Sequence, residues 1–404
     1  MRQPEQQSRP RASIATVIKR FALAALIPLT LGTVSGCGGR SEAASLPPIA
    51  STPSNGSVQP GGSDPPGAGK LATPWGDPYP NMPDFVPPQV RPSEYAAAAA
   101  AEVGPPIDPA KGYRTEDFGG GVYMVTEGTY QSMFVVSDMG VIMVDAPPTI
   151  GAGLLKAVND VAPGAKVVEL IYSHAHIDHI GYAGEIRKSN PSMTIVAHEE
   201  TRKLLARAQD PARPVPSVTF NTQDQNFPVV VGNQTLQLQY PGPNHEPGNI
   251  GIYHAGQKVL MLVDVVFPGW MMWRRFAVSQ DIPGYFDLVK TMNTRWDFDH
   301  LIAGHVGRAG TKADVTEQLN FMTDIHNAAA EGLATVKPGE TVNPKNLNNS
   351  WAYFRDYVDR VTNYCVNKVS PKWSARFAAY DVWIYDQCVA MEQSLRVDGP
   401  SIKQ

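Results

Sequence analysis

The chain has 404 residues, 36 of them proline, with 43% hydrophobic and 18% charged residues and a formal net charge of −4. Those proportions exclude a wholly disordered or collagen-like polypeptide and leave room for one large catalytic domain with an appendage. Of the 36 prolines, 16 fall between Gly38 and Ala110, so the core-forming sequence must be sought downstream of that stretch.

Arg2, Arg9, Arg11, Lys19 and Arg20 precede the apolar run Phe21–Leu31, and small residues lead from there to Cys37. A basic segment, a short apolar core and a processing site read as a secretory signal over residues 1–36, since the run is too short to cross a hydrocarbon core of ~30 Å. The sequence Val34-Ser35-Gly36-Cys37 resembles the lipobox of bacterial lipoproteins. That resemblance implies lipidation of Cys37 and an exported protein tethered to a membrane, facing the periplasm or the cell exterior. An ordinary secretory signal that happens to contain a cysteine is the alternative.

Residues 37–70, rich in Pro, Gly and Ser, are expected to form a disordered tether. Residues 71–112 are still proline-rich but carry Trp75, Tyr79, Phe85 and Tyr95, as for a segment wrapped on a domain surface, with a short helix in Ala96–Ala101. Loss of residues 1–36 leaves 29 basic against 37 acidic residues, a net charge of −8. Such a balance argues against a dedicated nucleic-acid binder, whose affinity rests on Lys and Arg neutralising phosphates.

From residue 113 the texture changes to a catalytic domain expected over 113–335. Val122–Thr126, Ser132–Ser137 and Val141–Asp145 are short β-prone runs separated by turn signals. A helix is predicted at 151–160, a strand at Val167–Tyr172, a helix at 180–189, a strand at 193–197 and a helix at 199–207. Strands at 235–240, 249–254 and 259–263 follow, then a helix at 282–296, a strand at 301–303 and a helix from Thr311 to about Leu333. Interspersed helices and hairpins fit an α/β layered sandwich better than a purely parallel array. Residues 336–404 form a helical, strongly aromatic extension, whose Trp351–Trp383 stretch is expected to pack between helices and sandwich, with a lid over the active site as the alternative. Cys365 and Cys388 are an even pair that an exported location allows to join; as buried free thiols they would suit the same region.

Three of the nine histidines fall within Ser173-His174-Ala175-His176-Ile177-Asp178-His179. Alternate residues of an extended loop point the same way, so His174, His176 and Asp178 can converge while His179 serves a second centre nearby. Imidazole and carboxylate together suit a borderline cation such as zinc.

This His-x-His-x-Asp-His pattern after a buried strand resembles the metallo-beta-lactamase superfamily. His245 in Pro241–Gly248, Asp264 ending Val259–Asp264 and His305 in Ile302–Gly307 match the family's remaining ligand positions, with Asn244 where glycine is common. The resemblance covers about residues 115–310. It implies a four-layer αβ/βα sandwich, here with a C-terminal helical extension, and two zinc ions, with manganese or iron as alternatives. His174, His176 and His245 would hold the first ion, Asp178, His179 and His305 the second, and Asp264 would bridge them. Asp145 matches an aspartate that accepts a hydrogen bond from a ligand imidazole, a simple turn cap being the competing reading. His198, His254, His300 and His326 match no ligand position and read as structural or surface residues.

The resemblance implies a hydrolase that activates water for attack on a carbonyl, with Asp178 orienting the water or taking its proton. By the same resemblance, Asp264 points to the hydroxyacylglutathione hydrolase, lactonase and esterase branches or to phosphodiesterases, since two-metal zinc beta-lactamases usually lack a carboxylate there. The leading expectation is a hydrolase of esters, lactones or related acyl substrates. Beta-lactam hydrolysis, phosphodiester hydrolysis and a catalytically silent binding lipoprotein are the alternatives. Trp270, Met271, Trp273, Tyr285 and Phe286 are candidates for an apolar or aromatic substrate groove, against ordinary packing under a loop. Tyr182, where relatives carry glycine, would stand near the metals as a donor to an oxyanion, or serve only packing. The oligomeric state is open.

Overall fold

The computed structural model describes residues 95–338 and 347–399. The signal segment, Cys37, the tether and residues 71–94 lie outside the described residues. In chain order the elements are α1 (Ala100–Val103), β1 (Arg114–Asp117), β2 (Val122–Thr126), β3 (Gln131–Ser137), β4 (Gly140–Val144), α2 (Gly153–Val161) and β5 (Val167–Ile171). There follow α3 (Ile177–Ile180), α4 (Ala183–Ser189), β6 (Thr194–His198), α5 (Glu199–Ala208), β7 (Val218–Phe220), β8 (Asn226–Val231) and β9 (Gln234–Gln239). The remainder are β10 (Gly251–His254), β11 (Val259–Met261), α6 (Arg274–Val278), α7 (Ile282–Arg295), β12 (His300–Ile302), α8 (Lys312–Thr335), α9 (Ser350–Trp373) and α10 (Tyr380–Val397).

One sheet runs β1-β2-β3-β4-β5-β6-β7, antiparallel through β4 and parallel from β4 to β7. The other runs β12-β11-β10-β9-β8, with only β11 and β12 parallel. The sheets face each other across an apolar layer that joins Met124, Met133 and Ile142 of the first to Leu236, Leu238 and Ile252 of the second. On the outer face of the first sheet, Phe134, Met143 and Leu170 pack against Leu154 of α2, Ile186 of α4 and Leu205 of α5. On the outer face of the second, Leu260 and Leu301 pack against Leu288 of α7, Phe321 of α8, Val369 of α9 and Met391 of α10. The period-two side-chain alternation of strands makes such a double-faced arrangement possible, each fully buried Leu, Met or Phe contributing about 1.5–3 kcal/mol. The fold is thus the expected αβ/βα sandwich with C-terminal helices added to one outer layer.

Three strands and one turn lay beyond the sequence reading. β1 is a polar four-residue edge strand, β7 has three residues, and β8 carries Pro228, which an edge position tolerates because its missing N–H faces no partner strand. The helix expected at 180–189 is two short helices, α3 and α4. In α6, Arg275, Phe276 and Ala277 hold φ of 53–57°, a left-handed turn that costs about 1–2 kcal/mol per residue. It is clamped from α10: Gln387 accepts the Phe276 N–H at 2.7 Å and donates to Met272 O at 2.6 Å.

Cys365 of α9 and Cys388 of α10 are joined as a disulfide 23 residues apart, a closure worth roughly 3 kcal/mol through the unfolded chain. Glu169 sits on central strand β5 between Ile142 and Thr194, and burial pushes its carboxyl from the ordinary 4.5 up to about 7. A raised acid favours folding most below its unfolded value, and that contribution fades as pH rises through the folded one. Glu169→Gln is therefore expected to gain thermal stability over the parent between pH 5 and pH 8. Melting curves showing a gap that is constant or shrinks with rising pH would refute this.

Candidate metal centre

The parallel strands bring functional loops to one edge, because parallel neighbours end together at their carboxyl ends, where α/β sheets present their ligand sites. Asp145 follows β4, the loop from Ser173 to His176 follows β5, and α3 carries Asp178 and His179. From the other sheet, Asp264 lies beyond β11 and His305 beyond β12, while His245 lies in the turn between β9 and β10. Asp145 and Asp264 both adopt positive φ, 60° and 63°, a conformation that aspartate tolerates better than most residues. Gly304 must be glycine: at φ +86° a Cβ there would sit 2.5 Å from Val263 Cγ1.

The seven residues converge as two groups, His174, His176, His245 and Asp264 in one and Asp178, His179 and His305 in the other. Asp264 stands between them. Its Oδ2 lies 3.1 Å from His179 Nε2, 3.1 Å from His245 Nε2 and 3.5 Å from His174 Nε2, and its Oδ1 lies 2.9 Å from His305 Nε2. His176 Nδ1 is 3.0 Å from His245 Nε2, and His179 Nε2 is 3.2 Å from His305 Nε2. Asp178 Oδ2 is 3.5 Å from His179 Nε2 and, with its side chain 37% exposed, is the more open of the two carboxylates.

Burial pushes His174 well below the ordinary histidine range, and burial with the neighbouring His245 takes His176 down to about 4. Burial also opposes charge on His179, but the Asp264 and Asp178 carboxylates outweigh it and hold it at about 9. Asp264 is disfavoured as an anion by burial, yet His179, His305 and His245 draw it well below the carboxylate range. Ring nitrogens crowded around one buried carboxylate are stable only with a shared positive charge, supplied by protons or by metal ions. His174 Nε2 is buried without a hydrogen-bond partner and faces the cluster, so the donor set fits divalent cations that accept N and O ligands.

Several supporting residues carry no recognisable sequence motif. Ser173 Oγ meets His174 Nδ1 at 2.9 Å, which turns Nε2 toward Asp264. Glu246 accepts the Ala175 N–H at 3.1 Å, tying the triple-histidine loop to the His245 turn. Asn244 accepts the His245 N–H at 2.7 Å and an Asn249 Nδ2–H at 3.0 Å, which gives a role to the residue standing where glycine is common in the family. Gln131 braces the His305 loop, accepting from Ala303 N at 2.9 Å and donating to Val306 O at 2.7 Å and Arg308 O at 2.9 Å.

Asp145 favours charge on the His179 imidazole without a direct hydrogen bond to it. Its Oδ1 accepts the Ser173 N–H at 2.8 Å, so it fixes loop backbone, while its Oδ2 and His179 Nδ1 are each without a hydrogen-bond partner. Burial raises its carboxyl to about 6. Tyr182 takes the packing alternative: it stands at the N-terminal boundary of α4 and packs against the apolar cluster of α2 and α4. The phenol beside the ligands is instead Tyr130, whose hydroxyl donates to Asp178 Oδ2 at 3.4 Å and whose ring lies 4.6 Å from that of His305. Of the four remaining histidines, His198 caps α5 by accepting the Glu200 N–H and stacks on Tyr240. His254 pairs with Gln234, while His300 and His326 meet Phe118 and Phe286.

A cavity of about 460 Å³ opens over Asp178 and His305. Trp270, Met271 and Trp273 line it, as expected, together with Trp383 of α10. Tyr285 and Phe286 do not: they are 0% and 4% exposed within the core under α7, and the Tyr285 hydroxyl donates to Val265 O.

The family model described as the metallo-beta-lactamase superfamily matches residues 125–332, just over half of the chain, and spans all seven converging residues. The 2,4-dinitroanisole O-demethylase subunit alpha of Nocardioides sp. (strain JS1661) is 27% identical over 234 residues, 53% of this chain and 68% of that one. The uncharacterized protein YobT of Bacillus subtilis (strain 168) is 25% identical over 133 residues, 31% of this chain and 56% of that one. Among solved structures, a metallo-beta-lactamase from Pontibacter korlensis aligns with a TM-score of 0.44 and 19% identity, over 52% of this chain and 97% of that one.

Proposed function

The chain belongs to the metallo-beta-lactamase superfamily, and from that membership we propose that it is a dinuclear zinc-dependent hydrolase of esters, lactones or related acyl substrates. The observation that carries the proposal is the pair of ligand groups sharing Asp264. His174, His176 and His245 would hold one cation, Asp178, His179 and His305 the other, with Asp264 common to both. When bound, such cations supply Lewis acidity and lower the pKa of water so that attack proceeds at neutral pH.

The chain's own groups then have distinct tasks. Asp178, open to the cavity, takes a proton from the attacking water. Tyr130 donates to Asp178 Oδ2 and so holds that carboxylate in one orientation. The aromatic wall excludes bulk water from the carbonyl. One water is added, the acyl C–O bond breaks, and the products are an acid and an alcohol.

A second reading draws on the Nocardioides relative, which by its name removes the O-methyl group of 2,4-dinitroanisole. An aromatic pocket beside the cations also suits attack at an activated aryl–oxygen bond. Hydrolysis by zinc-loaded protein of a panel containing p-nitrophenyl acetate, a γ-lactone, a thioester, a cephalosporin, bis-(p-nitrophenyl) phosphate and 2,4-dinitroanisole separates these. Turnover of the ester or lactone above the rest is expected. Highest turnover on the phosphodiester or the cephalosporin would overturn the acyl-ester assignment, and preference for dinitroanisole would establish the second reading.

The basic N-terminus, its apolar run and Cys37 support export and lipid anchoring of the same protein. Cells fed labelled palmitate should label the wild-type chain and leave Cys37→Ala unlabelled. An unlabelled wild-type chain of unprocessed mass would contradict the anchor.

A further inference from the structure

The cavity over Asp178 and His305 is lined mainly by residues of the family match, and it is completed by Ala379 and Trp383 from beyond that match. That match covers residues 125–332, whereas Trp383 lies on α10 and Glu102 on α1. Trp270 is fixed by both additions: its indole N–H donates to Glu102 O at 2.9 Å, and its loop pairs with Ala378 just ahead of α10. The pairing is formed by Met271 N to Ala378 O at 2.9 Å and Ala378 N to Gly269 O at 3.0 Å. Glu102 is itself anchored by Arg308 at 2.7 Å, close behind His305 in the chain. The aromatic wall is therefore held rigidly in place beside the metal groups.

The chemistry of that wall is one-sided. Trp270, Trp273 and Trp383 present three indoles, Phe267 and Met271 add apolar surface, and no lysine or arginine is among the described residues lining the cavity. An anionic substituent set against the indoles, away from Asp178 and His305, would lose its hydration with no lysine or arginine of the lining to receive it. A flat neutral ring gains both apolar burial and the offset or edge-on contacts that aromatic pairs favour.

We propose that this cavity receives a neutral aromatic ring carried by the substrate next to its scissile bond, and that Trp383 of the C-terminal helices is the residue that selects it. The position of the scissile bond rests on the hydrolase reading above; the ring site itself does not. The C-terminal helices thereby act in specificity as well as in packing.

Two neutral ketones of nearly equal size, acetophenone and cyclohexyl methyl ketone, test this without any hydrolysis. Their dissociation constants are measured by ligand-observed NMR on the full-length, zinc-loaded protein, on Trp383→Leu and on Trp383→Phe. Acetophenone is expected to bind the parent about three- to tenfold more tightly than its saturated counterpart. Trp383→Leu should abolish most of that preference with bound zinc unchanged, and Trp383→Phe should retain it. Equal binding of the two ketones by the parent, or a preference undiminished in Trp383→Leu, would overturn the proposal. Because neither ketone is turned over, failure here is separate from failure of the ester panel, which would strike the hydrolase reading alone.

Discussion

Asp264→Ala is expected to lower hydrolysis by about a thousandfold or more and to drop bound zinc from about two per chain to fewer than one. Among the described residues, Asp264 is the group within about a hydrogen-bond length of histidines from both sets, at 2.9 Å from His305 and 3.1 Å from His179 and His245. It is also the negative charge that holds His179 at about 9 against burial. With the carboxylate gone, the two groups would lose the residue that stands between them, and His179 would lose the main charge that opposes its burial. The fold should survive, since neutral histidines are tolerated in that interior, so the variant will separate metal loss from unfolding. Asp264→Asn is the stricter control: it keeps the shape, removes the charge and should behave nearly as badly. Full activity in Asp264→Asn, measured with zinc in excess, would show that no cation is shared there.

Asp178→Asn should reduce kcat by about 10²–10⁴, the usual span for loss of a positioned proton acceptor, while KM for a small ester moves by less than about tenfold. Asp178 joins two roles, since it belongs to the second ligand group and also opens into the cavity. Saturating zinc should restore metal content in the variant more than it restores kcat. If zinc restored both together, Asp178 would be a ligand and nothing more. Tyr130→Phe supplies a milder comparison, because it removes only the 3.4 Å hydrogen bond that orients Asp178.

The seven converging residues were legible in the sequence because spacing and strand ends carry them. His174, His176, Asp178 and His179 share one short loop and helix, and Asp264 and His305 each follow a strand of apolar residues, a pattern readable one segment at a time. The substrate side was readable only in part. Trp270, Met271 and Trp273 stand close behind Asp264 in the chain, but Tyr285 and Phe286, farther along on α7, turn into the core shared with β11 and α8. Trp383 reaches the cavity through the packing of α10 against α8, α9 and the left-handed turn at Arg275–Ala277, which no local signal announces. Tyr130 was not legible for a similar reason: Tyr182 packs inward at the start of α4, whereas Tyr130 lies on a segment bridged to His305.

The added helices α9 and α10 are stapled by Cys365–Cys388, and Trp373 of α9, Phe377 of the connecting turn and Tyr380 of α10 surround Phe321 of α8. This packing fixes the axis of α10, and through it Trp383. Core and specificity are thus served by one element, so substitutions deep in the α8–α9–α10 bundle are expected to alter substrate choice as well as stability.

Metal analysis of the purified protein is the most direct test of the dinuclear centre. About two zinc ions per chain are expected, falling stepwise in His176→Ala and Asp264→Ala, with a lower melting temperature after chelation because a bound ligand stabilises the folded state. A protein isolated without metal, whose melting temperature is the same before and after chelation, would contradict it.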